Sequence, residues 1–135
     1  ILKAYTELVK DYLRPDQRSI DAPIGRNPFN RKRMAVLSSG RQATTHYCVL
    51  KRINDFTLLE AIIKTGRTHQ IRVHFAAIGF PVVGDSTYGY KVDFLKRQFV
   101  HAQKLGFDLP SSGKYVEFSS PLPPDLQLTL EHLSN

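Results

Sequence analysis

The sequence is poor in sulfur and in long apolar runs: 135 residues contain one cysteine, one methionine and no tryptophan. A single cysteine, Cys48, excludes an internal disulfide framework and any multi-cysteine zinc site, which suits a reducing compartment. The longest largely apolar stretch, Phe75 to Gly84, is interrupted by Gly79 and Pro81 and is too short to span a bilayer. No basic, apolar leader of signal-peptide type opens the chain. It begins at Ile1 and its only methionine is Met34, so it reads as a piece of a longer protein. Gly66-Arg67-Thr68 lacks the second glycine and the Gly-Lys-Ser/Thr ending of a phosphate loop. His69 and His74 are five apart, which on a helix turns them away from each other, and His46, His101 and His132 are scattered. No metal site is expected from such spacing.

What is present is ordinary globular composition, 41% hydrophobic and 23% charged, with a formal net charge of +7. The charge is uneven. Between Arg14 and Arg41 stand seven basic residues, Arg31, Lys32 and Arg33 among them, against Asp16 and Asp21. Prolines 15, 23 and 28 with Gly25 and Gly40 make this mostly loop with short extended pieces. Composition alone leaves two readings open: a surface for phosphate backbones, or a solvated loop that keeps the protein dispersed.

The rest reads as strands with few helices. Alternation predicts strands over 4–9, 44–53 and 56–64, the last two joined as a hairpin at Asn54-Asp55. Thr45, Tyr47 and Val49 fall on one face, and His46, Cys48 and Leu50 on the other. Cys48 is expected in a sheet core, as a small apolar residue rather than a nucleophile. Ile71, Phe75 and Ile78 then take helical spacing until Gly79 and Pro81 stop it, giving a helix over 69–78. Strands follow at 102–107 and 114–118, and a closing helix at 125–133. The fold class is α+β, with a mixed, mainly antiparallel sheet and few short helices.

The densest chemistry is Lys64-Thr65-Gly66-Arg67-Thr68-His69-Gln70-Ile71-Arg72-Val73-His74. It lies at a strand-turn-helix junction, a common place for ligand sites. Arg67 and His69 are candidates to face a phosphate or a base edge; a helix-capping cluster with a solvated face is the competing reading. Arg72, between Ile71 and Val73, requires a carboxylate or carbonyl partner to offset its desolvation.

The run Thr65 to His74 resembles the signature of the RluA-type pseudouridine synthases, which isomerise uridines in ribosomal or transfer RNA. The likeness continues in order along nearly the whole chain: Lys3-Ala4-Tyr5, then Glu7-Leu8-Val9 where the family usually has Ala-Leu-Val; Ile24-Gly25-Arg26 with Arg31 to Val36; Ala43 to Tyr47; Gly79 to Gly89; and His101-Ala102.

The resemblance implies a pseudouridine-synthase-type catalytic domain of which residues 1–135 are the C-terminal portion. Tyr5 would stack on the flipped uracil and Arg72 would orient the nucleophilic aspartate. Val100 would stand near the base, with Arg31, Lys32, Arg33, Arg67, His69 and Gln70 on the RNA path. The family's His-Arg-Leu-Asp stretch is not in these residues, so the nucleophile is expected upstream and the piece alone is expected to be inactive. Asp85, in Val83-Gly84-Asp85, matches a structural turn position. No metal or organic cofactor is implied; the expected partners are RNA and the missing N-terminal half of the domain, in the cytoplasm. The alternative is a non-catalytic RNA-binding module from a degenerate homologue.

Overall fold

A computed structural model describes residues 1–134. Eight strands and two helices follow in order: β1 (Leu2–Lys10), β2 (Gln17–Asp21), β3 (Ile24–Arg26), β4 (Met34–Val36), β5 (Thr44–Ile53), β6 (Phe56–Ile63), α1 (Gln70–Ala77), β7 (Val100–Asp108), β8 (Tyr115–Ser119) and α2 (Pro124–Ser134). Six strands form one sheet in the order β2-β5-β6-β1-β7-β8, and β3 and β4 form a separate hairpin. Every ladder is antiparallel, and the one parallel pairing among the described residues is an isolated bridge between Val83 and Tyr90. The α+β architecture expected from the sequence stands, with the sheet more uniformly antiparallel than expected. Neither helix is long and apolar enough to cross a membrane.

The expected hairpin turns at Asn54, whose φ of 52° is tolerated by asparagine better than by most side chains. Alternation then sends the chain's apolar groups to two faces. Val9, Tyr47, Leu59, Ala61 and Ile63 meet Ile71 and Phe75 of α1 on one. Leu8, Ile53, Val83 and Phe99 meet Leu126 and Leu133 of α2 on the other. The burial of Tyr47 is completed by its hydroxyl, which donates to the Pro15 carbonyl at 3.0 Å. Cys48 corrects the expectation: it is exposed, on the face of β5 opposite the buried Thr45 and Tyr47.

The basic loop also contains more ladder than its composition suggested, since β2 pairs along β5 and β3 pairs with β4. At the other end of the sheet, β8 pairs only with β7 and leaves Tyr115 and Phe118 exposed.

Candidate nucleic-acid interface and active site

Between the start of α1 and the sheet lies a pocket of about 160 Å³, lined by Tyr5, Ile63, Arg67, His69, Gln70, Ile71, Arg72 and Val100. Six of the nine residues singled out from sequence therefore meet in one wall. Tyr5 comes from β1, beside a bulge where the β1–β7 register shifts; such bulges re-aim side chains at sites. Val100 opens β7, opposite Glu7 of β1. Arg67 is steered by its Nε, which donates to the Gln42 carbonyl at 2.8 Å.

Gln70 lines the pocket but is spent on the fold. Its amide oxygen accepts from the Thr65 hydroxyl (2.6 Å) and the Arg67 N–H (3.1 Å), while its nitrogen donates to the Thr44 carbonyl (2.9 Å) and Thr45 Oγ1 (3.0 Å). Both acceptor and both donor capacities of the amide are thus used, so the ligand contact expected of Gln70 gives way to a clamp that joins the signature turn to β5. His74 extends it: its Nε2–H donates to the Ala22 carbonyl at 2.9 Å and its Nδ1 accepts from Thr45 Oγ1 at 2.8 Å. Burial pushes its pKa below the ordinary value.

Arg72 is held edge-on by Asp85, Nε to Oδ2 at 2.7 Å and Nη2 to Oδ1 at 3.0 Å. Within the described residues, the turn residue itself supplies Arg72 with a carboxylate. Asp85 is fully buried. Burial raises its pKa, but the bonds from Arg72 and from the Tyr88 and Thr87 amides outweigh this and hold it below its ordinary value. Gly84 permits the turn, with φ +83° and a Cβ position that would lie on the Arg97 carbonyl oxygen. The sequence signal for the pair was weak, because thirteen residues and a change of element separate the partners.

The β3–β4 hairpin forms a basic arm beside the pocket. Asn27 and Asn30 hold its turn, their side-chain oxygens accepting from the Phe29 and Lys32 amides. Arg31 and Lys32 are exposed on this turn and do not line the pocket; Phe29 stands beside them 97% exposed. Arg33 turns back, its guanidinium 5.4 Å from the centroid of Tyr88. Arg72 lies 5.1 Å from the same centroid. Tyr88, missed in the sequence, therefore links arm and pocket.

A larger groove of about 590 Å³, on the α2 side, is lined by Phe94, Arg97, Asp125 and His132 and shares no residue with this site. It contains none of the residues singled out from the sequence.

The pocket thus joins an aromatic side chain, an ion-paired arginine and a neighbouring basic arm. The family model described as RNA pseudouridylate synthase matches residues 1–77, and the chain belongs to that family. It is 48% identical over 135 residues to "Uncharacterized RNA pseudouridine synthase YlyB" of Bacillus subtilis, covering 98% of this chain and 44% of that protein. It is 42% identical over 144 residues to "Ribosomal large subunit pseudouridine synthase D" of Nitrosomonas europaea, covering 100% of this chain and 42% of that one. The solved structure of human RNA Pseudouridylate Synthase Domain Containing 1 superposes with a TM-score of 0.80 at 31% identity, over 93% of this chain and 57% of the other. The chain thus spans less than half the length of these two curated relatives.

Proposed function

We propose that these residues are the C-terminal portion of the catalytic domain of an RNA uridine isomerase, acting in the cytoplasm on structured RNA, most plainly ribosomal RNA. The observation that carries this reading is the convergence of Tyr5, Arg67, His69, Arg72 and Val100 on one pocket. A relative named for the large ribosomal subunit favours that substrate.

In the reaction the bond from C1′ to N1 breaks, the uracil rotates, and C1′ bonds to C5. The C5 proton leaves and N1 gains one, so atoms balance without an oxidant or reductant. The nucleotide must first leave its stack, at about a few kcal/mol. Tyr5 then covers the base and Val100 packs against it. Asp85 takes the Nε–H and one Nη2–H of Arg72, leaving three of its five N–H groups for a second carboxylate. That second carboxylate is the nucleophile, expected outside these residues, because the family's His-Arg-Leu-Asp stretch is not among them and Asp85 is committed to Arg72. Arg31, Lys32 and Arg33 carry phosphates.

The test is tritium release from C5-labelled uridine in ribosomal RNA. The full-length parent protein should release it and this chain alone should not. Release by the chain alone would place the nucleophile within it. RNA binding without release by the parent would leave a binding module.

A further inference from the structure

Tyr88 and His69 lie 19 residues apart, on the turn after α1 and on the residue before it, yet share a 2.8 Å contact between the Tyr88 hydroxyl and His69 Nδ1. The rings meet edge to face at 5.5 Å. The same hydroxyl accepts the Met34 N–H at 2.8 Å. His69 reaches it from the left-handed region, φ 55° and ψ 25°, and makes no side-chain cap of its own helix. Such a conformation is uncommon outside glycine and is worth a structural reason; here it carries the imidazole to Tyr88.

A phenol has one proton to donate. Its oxygen is already an acceptor for the Met34 amide, so the pairing that uses every group sends its proton to Nδ1. The neutral imidazole then carries its own hydrogen on Nε2. The opposite tautomer would aim two N–H donors at one phenol oxygen and leave the phenol proton without an acceptor. Nε2 makes no hydrogen bond among the described residues, and His69 lines the pocket. The nearby charge acts in the same sense: partial burial and the positive field of Arg72 hold the His69 pKa below its ordinary value, against the opposing influence of Asp85.

We propose that His69 is a specificity residue, fixed by Tyr88 and the Met34 amide as an Nε2–H donor that reads an oxygen of the RNA, either a uracil carbonyl or a phosphate. The proposal rests on the RNA-directed reading above. A fixed N–H donates to an oxygen and is left facing another donor when an amino group is offered, a mismatch that leaves a polar group unpaired. Because Met34 belongs to the arm, the arm takes part in setting the proton position inside the pocket.

The experiment is nitrogen-15 NMR of the imidazoles of this chain, followed by titration with a uridine-containing oligoribonucleotide and its abasic counterpart. His69 should be the Nε2–H tautomer at neutral pH, and Tyr88→Phe should mix the tautomers. A uracil contact shifts Nε2 with the first oligonucleotide only; a phosphate contact shifts it with both. His69→Ala should weaken binding about tenfold, the loss of one good hydrogen bond, and His69→Gln, which keeps an N–H donor, should recover most of it. An Nδ1–H tautomer in the wild-type chain overturns the Tyr88 relay by itself. The Nε2–H tautomer with His69→Ala binding as wild type overturns the ligand role. Failure of both oligonucleotides to bind any form of the chain overturns the RNA-directed reading, with the tautomer still measured.

Discussion

Arg72 and Asp85 form a two-point ion pair in which the carboxylate is fully buried and the arginine side chain is 16% exposed. The arginine is thereby aimed before any ligand arrives.

Replacing Arg72 by alanine strands Asp85 without its cation, and removing one member of a buried pair costs about 3–5 kcal/mol. Arg72→Ala should therefore lower the denaturation midpoint as well as abolish turnover in the parent protein. Arg72→Lys keeps the charge but not the planar fork; it should retain more of the stability and still lose most of the turnover. Chemical denaturation alongside tritium release separates the two effects. A fully stable, inactive Arg72→Ala protein would contradict the pairing.

Gln70 is expected to act through structure alone. Gln70→Leu leaves Thr65, the Arg67 amide, the Thr44 carbonyl and Thr45 short of partners, at about 1–3 kcal/mol for each group left buried and unpaired. The midpoint should fall. Oligoribonucleotide binding, measured where the variant is still folded, should change little beyond the loosening of Arg67.

Glu7 should make the chain more stable in acid. It is fully buried between Leu59 and Val100 in the ladder and neither carboxyl oxygen has a hydrogen-bond partner. Burial pushes its pKa well above the ordinary 4.5. The native state thus holds a proton that the unfolded chain has lost. This contribution to stability is complete below the ordinary value and is lost as pH rises through the folded value. Glu7→Leu should remove that dependence and raise the midpoint most on the alkaline side. Denaturation scans of both proteins from about pH 4 upward, starting near the ordinary carboxyl range, check it, and a parallel pH profile would defeat it.

Phe29 should contribute to RNA binding through stacking. A base on an exposed aromatic is worth about 1–3 kcal/mol. Phe29→Ala should cost that much affinity with no change in denaturation midpoint or in salt dependence. Lys32→Ala should instead lower the salt slope by about one phosphate contact. Filter binding across a salt series distinguishes the two.

Much of this was legible in the residue order, for reasons that are local. The 54–55 hairpin, the α1 region and the closing helix each announce themselves within a dozen residues, through alternation, a two-residue Asn-Asp connection or helical spacing. The pocket was legible because Arg67, His69, Gln70 and Arg72 crowd one turn, and the resemblance brought in Tyr5 and Val100. What escaped depends on distance along the chain. Arg72 visibly needed a carboxylate, but nothing in the spacing singled out Asp85. Tyr88 draws its importance from Met34, Arg33 and His69, which only the docked arm brings together. Gln70 looked like a ligand for the same polarity that makes it a clamp. Cys48 was placed in a core because alternation shows that two faces exist without showing which one is covered.

The edge strand β8 has a practical consequence. A short strand paired on one side, with Tyr115 and Phe118 bare, offers unpaired backbone groups and apolar side chains to any similar edge that meets it. Solutions of the isolated chain should thicken into oligomers as concentration rises, well before the core loosens. Phe118→Lys should serve as a gatekeeper that makes the chain tractable for spectroscopy.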